Sequence, residues 1–158
     1  SRLPEQQPQR VALHPAVADT LALLDFDARS HGIVQQLALA DGAPSLLADD
    51  SDLRMLVLNL VQNAHHAMPR GGTLSVRTRR VAGDIEIAVA DSGCGIPEDA
   101  LPRIFDPFYS RRADGEGGTG LGLTICKSIV DRYGGRIEVS SQPGVGTTFR
   151  VLFPLLPE

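Results

Sequence analysis

The stretch from 52 to 68 constrains the fold more than any other. Leu53, Leu56, Val57, Leu60, Val61, Ala64, Ala67 and Met68 recur at three- and four-residue spacing, and at about 100° per residue they fill one continuous arc. A helix that is apolar on one side only has to lie against another layer. The residues that follow supply one. Pro69, Gly71 and Gly72 end the helix, Leu74, Val76 and Thr78 alternate, and after Ala82-Gly83 so do Ile85, Ile87 and Val89. A period of two on both sides of a short turn predicts a hairpin with one apolar face. Asp50 or Ser51 is placed to cap the helix.

The other elements fit the same plan. Pro15 suits a first helical position, and Ala16, Val17, Thr20, Leu21, Leu24 and Ala28 keep helical spacing up to His31-Gly32. A strand is predicted at 33–39, a turn at Asp41-Gly42, and a short strand at 45–48. A short helix is expected near 98–104, and a longer one at 120–133 with Gly134 as its C-terminal cap. Ile137 and Val139 open a further strand. Phe149, Val151 and Phe153 line one face of the last, beyond the turn Pro143-Gly144-Val145-Gly146. Three main helices on one face of a mixed, mostly antiparallel sheet of about five strands make a two-layer α/β sandwich. Residues 1–12, rich in Pro, Gln and Arg, read as a linker or disordered start, which leaves 13–156 as the domain.

Composition excludes several classes. A chain of 158 residues, 42% hydrophobic and 22% charged, suits one globular domain. The net charge of −4 argues against a nucleic-acid module. Cys94 and Cys126 form neither a disulfide framework nor a paired zinc spacing, which fits a reducing compartment and a cytoplasmic setting. No apolar run approaches the ~20 residues of a membrane span, and no secretory signal pattern is visible. The 16 glycines are clustered, and that clustering is the first pointer to function.

Asn59 and Asn63 stand four apart on the helix at 52–68 and share a face, with His66 three residues on. All three flank the apolar arc, so they face either solvent or a ligand. Asn is a mediocre helix former, and an amide carbonyl is a hard oxygen suited to Mg2+. Directly after a strand comes Asp91-Ser92-Gly93-Cys94-Gly95-Ile96-Pro97. A strand-end carboxylate can accept a hydrogen bond from an exocyclic amine such as adenine N6. Glycines at 93 and 95 would let a flat ring approach the backbone, although the same pattern describes an ordinary tight turn. Gly115 to Leu123 opens the helix at 120–133, where free N–H groups suit phosphate. It contains G-x-G-x-x-G, but no buried strand precedes it, and no P-loop pattern occurs. Between the clusters, Ile104 to Tyr109 puts two of the five phenylalanines in a predicted loop. They need a groove that opens and closes or a small satellite apolar cluster. Arg111 and Arg112 could reach phosphate or be solvated.

The order of these stretches is more specific than any one of them. N-L-V-x-N-A (59–64), D-x-G-x-G-I-P (91–97), I-F-D-P-F-Y (104–109) and G-G-T-G-L-G-L (117–123) resemble the N, G1, F and G2 boxes of sensor histidine kinases. The closing G-V-G-T-T-F (144–149) and Leu152-Phe153-Pro154 are similar to that family's C-terminal end. The likeness covers roughly residues 10–155, and the nitrogen-regulation type is nearest. It implies the Bergerat fold of gyrase, heat-shock chaperone and MutL ATPase domains, with ATP and Mg2+ as cofactors. By resemblance, Asn63 binds the Mg2+ bridging the ATP phosphates, and Asn59 orients a phosphate or water. His66 falls where many relatives carry a Lys that touches phosphate, and a neutral imidazole would make a weaker contact. Asp91 binds adenine N6, with Gly93, Gly95 and Ile96 alongside and Thr148 supporting the same end. Residues 105–118 form the ATP lid, with Phe108 and Tyr109 bordering the nucleotide and Arg112 near the γ-phosphate. Gly118, Thr119, Gly120, Leu121 and Gly122 offer N–H groups to the phosphates.

Two features separate the readings. ATPases of this superfamily place a Glu at the first N-box position, whereas here it is Asn59, and an amide is no general base at neutral pH. Phosphotransfer with slow hydrolysis is therefore expected. The family's phosphoacceptor His sits on a separate dimerising domain in an H-[ED]-x-x-x-P setting. His14, His31, His65 and His66 all lack it. The resemblance thus implies the catalytic half of a longer sensor kinase. Its partners would be ATP/ADP, the dimerisation and histidine-phosphotransfer domain, and a response regulator receiver domain downstream, and the isolated domain would be monomeric. The alternatives are a Bergerat ATPase, a nucleotide-binding module without catalysis, and a Rossmann oxidoreductase, the last disfavoured by the missing strand. Cys94 reads as a tolerated small residue rather than a redox switch, and Cys126 as core.

Overall fold

The computed structural model describes residues 7–109 and 122–158. In chain order they form β1 (Gln9–Ala12), α1 (Leu13–Ser30), β2 (Ile33–Ala38), β3 (Ser45–Ala48), α2 (Asp50–His66), β4 (Gly72–Val81) and β5 (Asp84–Asp91). A single 3-10 turn (Leu101–Arg103), α3 (Gly122–Arg132), β6 (Arg136–Gln142) and β7 (Gly146–Pro154) follow. The main sheet has the order β2-β4-β5-β7-β6, and β1 pairs with β3 in a small second sheet. Only β2 and β4 run parallel; the other three pairings of the main sheet are antiparallel. The helices cover one face of it, α1 over β2, α2 over β4 and β5, and α3 beside β6. This is the expected two-layer sandwich. No helix among the described residues is long and apolar enough to cross a membrane.

Helix α2 is the centre of the molecule because its apolar arc is long and unbroken. Leu53, Leu56, Val57, Leu60, Val61 and Ala64 are all buried, each larger side chain contributing about 1.5–3 kcal/mol. Opposite them stand Leu74 and Val76 of β4, Ile85, Ile87 and Val89 of β5, and Phe149, Val151 and Phe153 of β7. The open sheet face is polar where it can be. Glu86, buried on that face, is satisfied by the Arg79 guanidinium at 2.9 and 3.3 Å.

Three local details differ from the sequence reading. The cap of α2 is Asp49, whose carboxylate accepts the Asp52 N–H at 3.0 Å. Three consecutive residues are competent caps by type, and the cap used lies one residue before the predicted pair. Residues Gln9–Ala12, expected within a linker, form β1, with Val11 opposite buried Leu46. A partner 35 residues away, not local composition, decides that strand. The helix expected near 98–104 shrinks to one 3-10 turn over Leu101–Arg103. The longer helix is described from Gly122 to Arg132.

Candidate nucleotide-binding site

The site is built where α2 ends, β5 ends and α3 begins. On α2, the Asn59 amide donates from Nδ2 to the Met55 carbonyl at 2.8 Å. That bond leaves Oδ1 as its outward group, and a Cβ at Gly122 would lie 3.1 Å from it. Gly122 opens α3, so the helix start comes as close to Asn59 as a residue without a side chain allows. Asn63 lies one turn further along, half-buried, and its amide makes no side-chain hydrogen bond among the described residues. His66 is exposed at the last turn. It also borders a cleft of about 300 Å3 with Asp27, His31 and His65, on the side of α2 nearer α1.

Asp91 is the last residue of β5. Its Oδ1 accepts the Gly93 N–H at 2.8 Å. Burial raises its carboxyl above the ordinary value, and the backbone N–H groups of Gly93 and Thr147 pull the other way by favouring the charged form. The carboxylate is thus oriented by backbone before any ligand arrives.

The loop after Asp91 joins this carboxylate to α2. The Cys94 N–H donates to the Ala67 carbonyl at 3.0 Å, capping the end of α2, and the Gly144 N–H donates to the Cys94 carbonyl at 2.8 Å. The two glycines of the motif serve this packing. A Cβ at Gly93 would lie 2.3 Å from the Ala67 carbonyl oxygen. A Cβ at Gly95, where φ is +74°, would lie 2.3 Å from the Gln142 carbonyl oxygen. In this fold both glycines admit protein backbone; from the sequence alone, a ligand ring and a tight turn are both open. Ile96 is held by its N–H on Ser141 Oγ at 2.7 Å.

Thr148 does not reach this end. Strand alternation puts it beside Ala90, on the sheet face away from the helices, while Thr147 is registered with Asp91 and shares the face of Phe149 and Val151. Thr147, registered with Asp91, and Ser141, bonded to the loop after it, are neighbours of this end that the sequence reading missed. The alternation that marks Phe149, Val151 and Phe153 points to Thr147 by parity alone, whereas Ser141 has no local signal.

The phenylalanine loop divides its labour. Phe105 packs edge-on against Phe149, centroids 6.3 Å apart at 79°, and its carbonyl accepts from Thr124 of α3 at 3.0 Å. That is the satellite cluster. Phe108, at φ +65°, is 76% exposed, and the Arg103 guanidinium lies 5.5 Å from the centre of the half-buried Tyr109 ring. Arg112, Gly118, Thr119, Gly120 and Leu121 lie outside the described residues. Among those described, no three His, Cys, Asp or Glu side chains cluster as a metal cage.

The profile of the histidine kinase-, DNA gyrase B- and HSP90-like ATPase family matches residues 48–157. The sensor histidine kinase ZraS of Escherichia coli K12 is 37% identical over 147 residues, 93% of this chain and 31% of that protein. The alginate biosynthesis sensor protein KinB of Pseudomonas aeruginosa is 42% identical over 120 residues, 76% of this chain and 20% of that protein. This chain therefore spans about a third or less of these relatives. Among solved structures, the mycobacterial sensor histidine kinase MprB superposes with a TM-score of 0.83 at 27% identity, covering 96% of this chain and 99% of that one. Full-length ShkA in complex with AMPPNP superposes at 0.85 and 28% identity, covering 100% of this chain and 33% of that one. With the family profile covering more than half its length and sensor histidine kinases as its relatives, the chain belongs to the histidine kinase-, DNA gyrase B- and HSP90-like ATPase family.

Proposed function

We propose that this domain binds ATP with Mg2+ and supplies the γ-phosphoryl group to a histidine on a separate dimerising domain of a sensor kinase, from which a response regulator receiver domain takes it. The observation that carries the reading is the convergence of two opposite recognition groups on one seam. The Asn63 amide, without a partner among the described residues, stands at the end of α2. The Asp91 carboxylate, oriented by the Gly93 N–H, is fastened to that same helix end through the Cys94–Ala67 hydrogen bond. One group suits a metal–phosphate assembly and the other an exocyclic amine.

In this reading Asp91 accepts from adenine N6, and Thr147 stands beside it in place of Thr148. Asn63 offers a single hard oxygen, which fits an ion that takes its remaining ligands from phosphate and water. Asn63 would hold Mg2+ there, and the ion would supply positive charge to the phosphate oxygens. His66 and the start of α3 at Gly122 border the phosphate end, and Arg112 with Gly118, Thr119, Gly120 and Leu121 belong to it by sequence. Asn59 carries no base, and its amide is already engaged by Met55. It positions a phosphate or water rather than deprotonating it, which favours transfer over hydrolysis. In this reading the domain lies on the cytoplasmic side, where ATP is supplied, and is monomeric without its dimerising partner.

Calorimetric titration with a non-hydrolysable ATP analogue, with and without Mg2+, tests this on the native chain and on Asn63→Ala. Mg2+-dependent binding that falls in Asn63→Ala is expected. A folded native chain that binds no analogue would overturn the reading. With γ-labelled ATP the domain should leave itself unlabelled and label an added acceptor domain; label on any of its own four histidines would refute the division of labour.

A further inference from the structure

Ser141 lies on β6 and hydrogen-bonds neither Asp91 nor Asn63, yet it ties together three pieces of the base-binding end. The register Asp91↔Thr147 and Ser141↔Thr147 sets Asp91, Thr147 and Ser141 in one row across β5, β7 and β6. On one side, Ser141 Oγ accepts the Ile96 N–H at 2.7 Å, which holds the loop that follows Asp91. On the other, it lies 2.7 Å from Thr147 Oγ1 and 3.1 Å from the Gly146 carbonyl. A hydroxyl donates once and accepts twice. The Ile96 N–H takes one lone pair. Either the Ser141 proton goes to Gly146 and Thr147 donates inward, or it goes to Thr147. In both arrangements, removing Oγ leaves the Ile96 N–H and the buried Thr147 hydroxyl each short of a partner.

We propose that Ser141 is a positioning residue for base recognition, setting the Ile96 loop and Thr147 against Asp91 without touching the nucleotide. This rests on the nucleotide reading above. The effect should be confined to one end of the site. The loop keeps its bonds to Ala67, Gly144 and Asp91 when Ser141 is truncated, and Asn63 and Gly122 lie on other elements. Loss of the hydroxyl therefore loosens base discrimination and leaves phosphate binding in place.

The test measures ATP and GTP affinities, with Mg2+, for the native chain and for Ser141→Ala, Ser141→Cys and Ser141→Thr, alongside each variant's unfolding midpoint. GTP presents a carbonyl where ATP presents the amine, so its binding is driven by the phosphates alone. Loss of one satisfied buried hydrogen bond predicts a weakening of ATP binding by about tenfold in Ser141→Ala and Ser141→Cys. GTP binding should stay unchanged, and Ser141→Thr, which keeps the oxygen, should retain native discrimination. Equal loss of ATP and GTP, or no loss of either, would overturn the proposal. If Ser141→Ala does not fold, the near-isosteric Ser141→Cys carries the comparison. A native chain that binds neither nucleotide would instead sink the nucleotide reading itself.

Discussion

Replacing Gly95 by Ala separates two reasons for a glycine at that position. If the glycine exists to admit a ligand ring, Gly95→Ala leaves a stable protein that binds poorly. The structure makes a different demand. At φ +74° an L-residue costs about 1–2 kcal/mol. The added Cβ would also lie 2.3 Å from the Gln142 carbonyl oxygen and 2.8 Å from the Pro143 Cα. Relief requires the β6–β7 turn to retreat by about 1 Å, and overpacking of this kind costs about 1–3 kcal/mol. The total, about 2–5 kcal/mol, is a large share of a domain's 5–15 kcal/mol. At about 2–4 °C per kcal/mol for a chain of this size, the melting temperature should fall by roughly 10 °C. Two companions isolate the terms. Gly134 has φ +71° and no neighbour within 4 Å of an added Cβ, so Gly134→Ala measures conformational strain alone. Gly93 lacks the positive φ but would meet the Ala67 oxygen at 2.3 Å, so Gly93→Ala measures overlap alone. Urea unfolding of all three, read as midpoint and slope, should rank Gly95→Ala lowest. Should Gly95→Ala unfold at the same midpoint as Gly134→Ala while losing nucleotide, the backbone-packing account of the loop would be wrong.

Three further outcomes follow from the same coordinates. Thr147→Val should weaken nucleotide binding and Thr148→Val should not, because only Thr147 shares a face with Asp91; the reverse pattern in a titration would contradict the register. Cys94 is exposed, whereas Cys126 is buried with its thiol pushed up to about 12 by burial. A thiol reagent near neutral pH should therefore modify one cysteine in the native state and two in denaturant, and rapid labelling of both in the native state would contradict that burial. Burial lowers the His65 imidazole, with Asp27 opposing and His66 and His31 adding to the shift. Its Nε2 pairs with Gln35 Oε1 at 3.2 Å, and the Gln35 amide is oriented by donating to the Leu21 carbonyl. A histidine whose folded pKa lies below its unfolded one costs stability as pH falls through about 6.5 and below, since the unfolded chain protonates first. Unfolding midpoints measured from pH 7.5 down to 5.5 should fall more steeply for the native chain than for His65→Gln, and parallel curves would show that this ring is not the source.

The placements of Asn63 and Asp91 also explain how far a sequence can be read. Asn63 was legible because it sits on a helix whose 3.6-residue period is unmistakable, so its face follows from its number. Asp91 was legible because the alternation of Ile85, Ile87 and Val89 runs straight into it. Thr147 is equally legible by parity from Phe149, although the motif carries two adjacent threonines. Ser141 was not available at all. Its role arises from Ile96, 45 positions earlier, and nothing in Val139-Ser140-Ser141 announces that partner.

The sequence by itself determined the elements and their one-sidedness: the arc of α2, the β4–β5 hairpin, the closing strand of Phe149 and Phe153. Periodicity is set by neighbours along the chain, and so is legible in it. It also placed glycines at 93 and 95, directly after the strand that ends in Asp91. What those glycines face, and that Gln9–Ala12 is a strand, were decided only in three dimensions. Each depends on an atom delivered by a distant segment: the Ala67 carbonyl under Gly93, the Gln142 carbonyl under Gly95, Leu46 across from Val11. A backbone group looks the same in every residue of the sequence and acquires its meaning only when the fold brings another segment to it.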